Sequence, residues 1–166
     1  MDQPSKFTPI IISTAVMTLI SVFPILNIVN LLCCAGIIIG AFSGTAFYAK
    51  QLSGSGSIIQ FKDGAAIGLF SGILSALLVT VFNTLITMLT SQNPIPELYK
   101  IIDQFGYTIP PEAEKLLKRV SDEYNKHGFS ITITIINLVA DLLFFPLFGF
   151  LGGILASSVF SKRKNA

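Results

Sequence analysis

The sequence predicts an all-α, polytopic membrane protein: four transmembrane helices, with two short amphipathic helices in the long loop between helices three and four. Three observations predict it. Hydrophobic residues make up 52% of the chain and charged residues 12%, with a mean hydropathy of +0.73; a water-soluble domain carries about 25% charged residues, because its surface faces water. Uncharged stretches run from Lys6 to Lys50 and from Asp63 to Glu97, and Asp141 is the only charge between residues 131 and 160; a helix needs about 20 apolar residues to cross a hydrocarbon core of roughly 30 Å. Between these stretches, residues 93–128 turn polar and become periodic at helical spacing.

The first span is expected over residues 8–23. Lys6 precedes it, and the run is too long for the apolar part of a signal peptide, so it is expected to remain uncleaved. Pro24, Asn27 and Asn30 interrupt the apolar pattern and place a tight turn before a second span over residues 28–49. Cys33 and Cys34 are expected inside that helix as small apolar side chains, since adjacent helical residues point apart and cannot form a structural disulfide. Residues 51–57, rich in serine and glycine, are expected to be a flexible connection.

The third span is expected over residues 64–90, opened by Asp63, an acid favourable at a helix N-terminus. Asn93-Pro94-Ile95-Pro96 ends it. In the loop, Leu98, Ile101, Ile102 and Phe105 keep helical spacing, as do Ala113, Leu116, Leu117, Val120 and Tyr124. The second of these segments has Pro111, Glu112 and Glu114 in its first turn, Lys126 and His127 in its last, and then Gly128, the start and stop signals of a helix. The fourth span is expected over residues 131–160, kinked at Pro146, with Lys162-Arg163-Lys164 as a basic stop. Ser130–Ile135 alternates like a strand, but an open strand in lipid leaves backbone groups unpaired, which favours a helix. The lysines and arginines beside the helix ends place both termini on the cytoplasmic side of the cell (inner) membrane.

Two constellations stand out. Small residues recur every fourth position at Gly36, Gly40 and Gly44, at Gly64, Gly68 and Gly72, and at Gly149 and Gly153, each set a zipper-like helix face along which backbones can approach closely in lipid. Packing within the chain is the first reading; a face left open for a partner subunit is the second. The other constellation is polar: Thr80, Asn83, Thr84 and Thr87 on the third span, and Thr134, Asn137 and Asp141 on the fourth. A carboxyl group within the membrane should turn inward and find partners, here expected to be Asn83 and Asn137. The cluster is either interhelical hydrogen-bonding glue or the lining of a polar cavity in which Asp141 takes up a proton or a cation.

The chain around Gly56-Ser57-Ile58-Ile59-Gln60-Phe61-Lys62-Asp63-Gly64-Ala65-Ala66-Ile67-Gly68, its charged helical loop and its glycine-rich last span ending in Lys-Arg-Lys resemble small bacterial four-helix membrane proteins classed as a domain of unknown function. The resemblance implies a bacterial cell membrane and supplies no activity.

A net charge of +2 without a basic stripe excludes nucleic acid as a partner. With one histidine and two adjacent cysteines, no metal-ligand spacing exists. Neither a nucleophile–base pair nor a phosphate-cradling motif is present, so no catalytic residue and no cofactor is expected. The expected role is a non-enzymatic membrane scaffold or accessory subunit, with the lipid bilayer and other membrane subunits or a second copy as partners. The alternative is a small transporter, channel or proton-coupled element built around Asp141.

Overall fold

The computed structural model describes residues 4–23, 34–54, 56–90 and 93–162. Among them the chain forms six α-helices and no strand: α1 (Phe7–Val22), α2 (Ala35–Gly54), α3 (Phe61–Thr90), α4 (Ile95–Gln104), α5 (Pro111–His127) and α6 (Ile131–Lys162). Two of them, α3 and α6, are long and apolar enough to cross a membrane. The expected turn at 24–30, the first residues of the expected second span, Cys33 and the Arg163-Lys164 end lie outside the described residues.

Two expectations are corrected. Residues 51–54 are helical rather than a flexible connection, and α2 runs to Gly54. The reason is packing: fully buried Tyr48 and Leu52 continue the inward stripe of the helix and join Ala49, Ile59 and Ile67 in one apolar cluster. The helix then stops at Gly56, whose φ of +76° suits a residue without a Cβ. There the amides of Gly56 and Ser57 donate back to the Ser53 and Leu52 carbonyls at 3.3 and 3.1 Å, closing the last turn. Cys34 stands ahead of α2 rather than within it, at a φ of 59°. Its carbonyl accepts the amides of Ile37 and Ile38 at 3.0 and 3.2 Å.

The chain packs as two compact units, residues 1–79 with 140–166 and residues 80–139. In the first unit, α1 and α2 are antiparallel: a Cβ on Gly40 would collide with Met17, and one on Gly44 with Ser13 and the Pro9 carbonyl. The Gly64–Val79 part of α3 and the C-terminal part of α6 are antiparallel in the same way. A Cβ on Gly64 or Gly68 would run into the carbonyl of Gly153 or Gly149, and one on Gly72 would lie 2.5 Å from the Phe145 carbonyl oxygen, beside Pro146. Gly152 meets the Ile38 carbonyl at 2.6 Å on the same measure, which brings α2 against α6. Gly36 is buried. Met17, Ile37, Ala41, Ala76, Val79 and Phe145 fill the centre.

Polar groups hold the same unit together. Ser75 Oγ donates to the Thr14 carbonyl at 3.3 Å, fixing α3 to α1. Asp63, only 2% exposed, has an ion pair with Lys6 at 2.7 Å. Its other oxygen accepts the Gln60 amide at 3.1 Å, so one carboxylate both caps α3 and ties it to the start of α1.

In the second unit, α5 begins with Pro111 and ends at Gly128, where φ is 75° and the amide donates to the Tyr124 carbonyl. The left-handed residue turns the chain straight into Ser130, whose hydroxyl accepts the Ile133 amide at 3.2 Å and caps α6.

Candidate functional site

One concave feature lies wholly in the second unit. It is a half-open groove of about 50 Å³ between α3, α5 and the first turns of α6. On α3 the 3.6-residue period places Thr80, Asn83, Thr84 and Thr87 on one stripe. On α6 the same period aligns Ser130, Thr134 and Asn137, with Ile133 beside them. Tyr124 from α5 and Phe129 from the connection complete the wall. The lining contains no ionisable group other than the Tyr124 phenol. Burial pushes that phenol above its ordinary pKa, so it stays protonated at neutral pH.

Six residues singled out in the sequence, Thr80, Asn83, Thr84, Thr87, Thr134 and Asn137, therefore line one groove. Asp141 is placed in the first unit, half-buried on α6. Thr80 is buried, Thr84, Thr87 and Thr134 are half-buried, and the two asparagines are exposed.

The threonine hydroxyls have a definite polarity. Thr84 Oγ1 donates to the Thr80 carbonyl at 2.8 Å, Thr87 Oγ1 to the Asn83 carbonyl at 2.8 Å, and Thr134 Oγ1 to the Ser130 carbonyl at 2.9 Å. Each hydroxyl has one proton, so the lone pairs are what remains to face outward. Thr84 Oγ1 and Thr134 Oγ1 face each other at 3.5 Å, too long to compete with the donations to the carbonyls.

Glu123 braces this end of the unit. Its carboxylate accepts the Ser130 hydroxyl at 2.6 Å, the Thr132 amide at 2.9 Å, the Thr132 hydroxyl at 2.7 Å and Arg119 Nε at 3.3 Å. These donors, the Ser130 hydroxyl first, hold its pKa at about 2. Asn93 joins the chain after α3 to the same stretch of α5, donating to Ser121 and Asn125 at 3.0 Å each while accepting the Ile95 amide at 3.0 Å. Sequence reasoning missed both. The available signal was a Ser-x-Thr cap at 130–132, seven residues after an acid on α5.

No three histidine, cysteine, aspartate or glutamate side chains converge among the described residues. Comparison with protein families, curated proteins and solved structures finds no match for this chain.

Proposed function

We propose that the chain is a four-span integral membrane protein of the bacterial cell membrane, with both termini cytoplasmic, which acts without catalysis as a scaffold or accessory subunit. The observation behind this reading is an inverted partition of side chains in the first unit. Ser13, Thr45, Ser71, Ser75 and Ser157 are fully buried, while Phe70 is 54% exposed, Leu155 52% and Val159 50%. Water would penalise both halves of that arrangement, whereas hydrocarbon tolerates large apolar side chains outside and favours small ones at helix contacts. α1 and α2 are read as the other two spans.

The glycine faces of α2, α3 and α6 are occupied within the chain, which leaves the outward leucine, isoleucine and phenylalanine surface to meet lipid or a partner. Purification in a mild detergent should retain a second copy or another membrane subunit at fixed stoichiometry. A protein that runs only as a monomer, or that stays in solution without detergent, would sink the proposal.

The uncharged polar groove favours a second reading, a small-solute transporter or channel. Reconstituted vesicles would then show a flux that Asn137→Leu abolishes; no flux in the unsubstituted protein rejects it.

A further inference from the structure

We propose that the groove of the second unit binds a small monovalent cation of the ammonium or primary alkylammonium class. This rests on the second functional reading for its location and names the ligand, but it concerns binding and does not require transport.

The size of the groove sets the first limit. About 50 Å³ exceeds the roughly 10–15 Å³ needed for one water by only a few-fold. A ligand of a few heavy atoms fits, whereas a sugar, a nucleotide or an amino acid cannot lie wholly within it.

Polarity sets the second. The protons of Thr84, Thr87 and Thr134 are committed to carbonyls of their own helices at 2.8, 2.8 and 2.9 Å. These three hydroxyls therefore present acceptors to any guest. Two of them, Thr84 and Thr134, stand 3.5 Å apart, close enough for one donor group to bond to both oxygens. The Asn83 and Asn137 amides, also in the lining, each contribute a carbonyl oxygen as a further acceptor. Neither lysine nor arginine lines the groove, so an anion would find only the neutral donors of Tyr124 and the two asparagines and no compensating charge.

Charge and geometry set the third. Neutral oxygens replace the hydration shell of a monovalent ion in selective channels, so a carboxylate is not required. Tyr124 and Phe129 add aromatic surface, whose electron-rich faces attract cations. An ammonium group offers up to four directional donors, a number that three hydroxyls and two amide oxygens can meet. A bare divalent ion demands charged ligands that this lining lacks.

The test is a titration of the full chain in detergent micelles, observed through labelled threonine methyl groups at neutral pH and constant chloride concentration. Ammonium and methylammonium should shift the Thr84 and Thr134 methyls saturably, and choline, too large to enter, should not. Thr84→Val combined with Thr134→Val keeps the shape and removes the acceptors, and should weaken binding at least tenfold as read through the remaining Thr80 and Thr87 methyls; the paired serine variant should bind within a fewfold of the original on the same probes. Should the valine pair fail to fold, formamide, a neutral donor of similar size, decides the matter on the unsubstituted protein: a response equal to that of ammonium overturns the proposal, and a much weaker one upholds it. Unsaturable shifts with ammonium, or unchanged binding in a folded valine pair, also overturn it. Saturable binding without methylammonium flux in vesicles retains the site and rejects transport, which separates the two claims.

Discussion

The two units of this chain are held together by different means. In the first, contact between helices is backbone against backbone: glycines of α3 lie on carbonyls of α6, and hydroxyls fill the gaps between α1, α2 and α3. In the second, hydrogen-bonded side chains do the joining, with Glu123 gathering four donors and Asn93 three partners. On the proposed membrane reading, the difference follows the solvent each kind of contact suits. Close approach of small residues works where hydrocarbon offers no hydrophobic drive between helices, and multiple charge-assisted bonds fix geometry where water competes.

Substitutions can break the contrast. The largest effect belongs to Gly68→Leu, because the obstacle is the Gly149 backbone, which cannot swing aside. Overpacking of this kind costs about 3 kcal/mol, read as a lower melting temperature in detergent, whereas Gly54→Ala, with nothing within 4 Å, should leave the melt within about 0.5 kcal/mol.

Glu123→Gln comes next and is confined to the second unit. Because the folded pKa of Glu123, about 2, lies below the ordinary 4.5, its stabilisation is fully present above about 4.5 and disappears as pH falls towards 2. Amide exchange at Thr132 should therefore quicken on acidification in the original protein and be fast and nearly pH-independent, after correction for intrinsic rates, in the variant. Protection that is equal in both at neutral pH would deny Glu123 its bracing role.

Asn93→Ala removes three hydrogen bonds and should cost about 2 kcal/mol, seen as faster exchange of the Ile95 amide with little change at Gly64–Gly72. The smallest effect is Ser75→Ala, which deletes one bond to the Thr14 carbonyl. It should lower stability by about 0.6 kcal/mol, the mean for hydrogen bonds between membrane helices. A much larger loss would mean that hydroxyls, rather than glycine contacts, dominate the first unit.

Helical periodicity carried most of what the sequence made legible. The 3.6-residue repeat that groups Thr80, Asn83, Thr84 and Thr87 needs no knowledge of the partner helix, nor do Pro111 and Gly128 as the ends of α5. The end of α2 was hidden because glycine and serine at 53–57 point to a loop by composition, while a single buried leucine, Leu52, extends the helix through a contact only the fold supplies. The cap on α6 was hidden for the same reason. Asp63 as a local cap follows from its position, but Lys6 as its partner depends on how α1 and α3 align.

The antiparallel match of Gly64 and Gly68 with Gly153 and Gly149 also governs the order of biosynthesis. α6 is translated after α4 and α5, so the glycine stripe of α3 has no complement until the ribosome has made the whole of both. At about 5–20 residues per second that interval lasts several seconds, far longer than a helix needs to form. A nascent chain halted in this window leaves the glycine stripe of α3 uncovered.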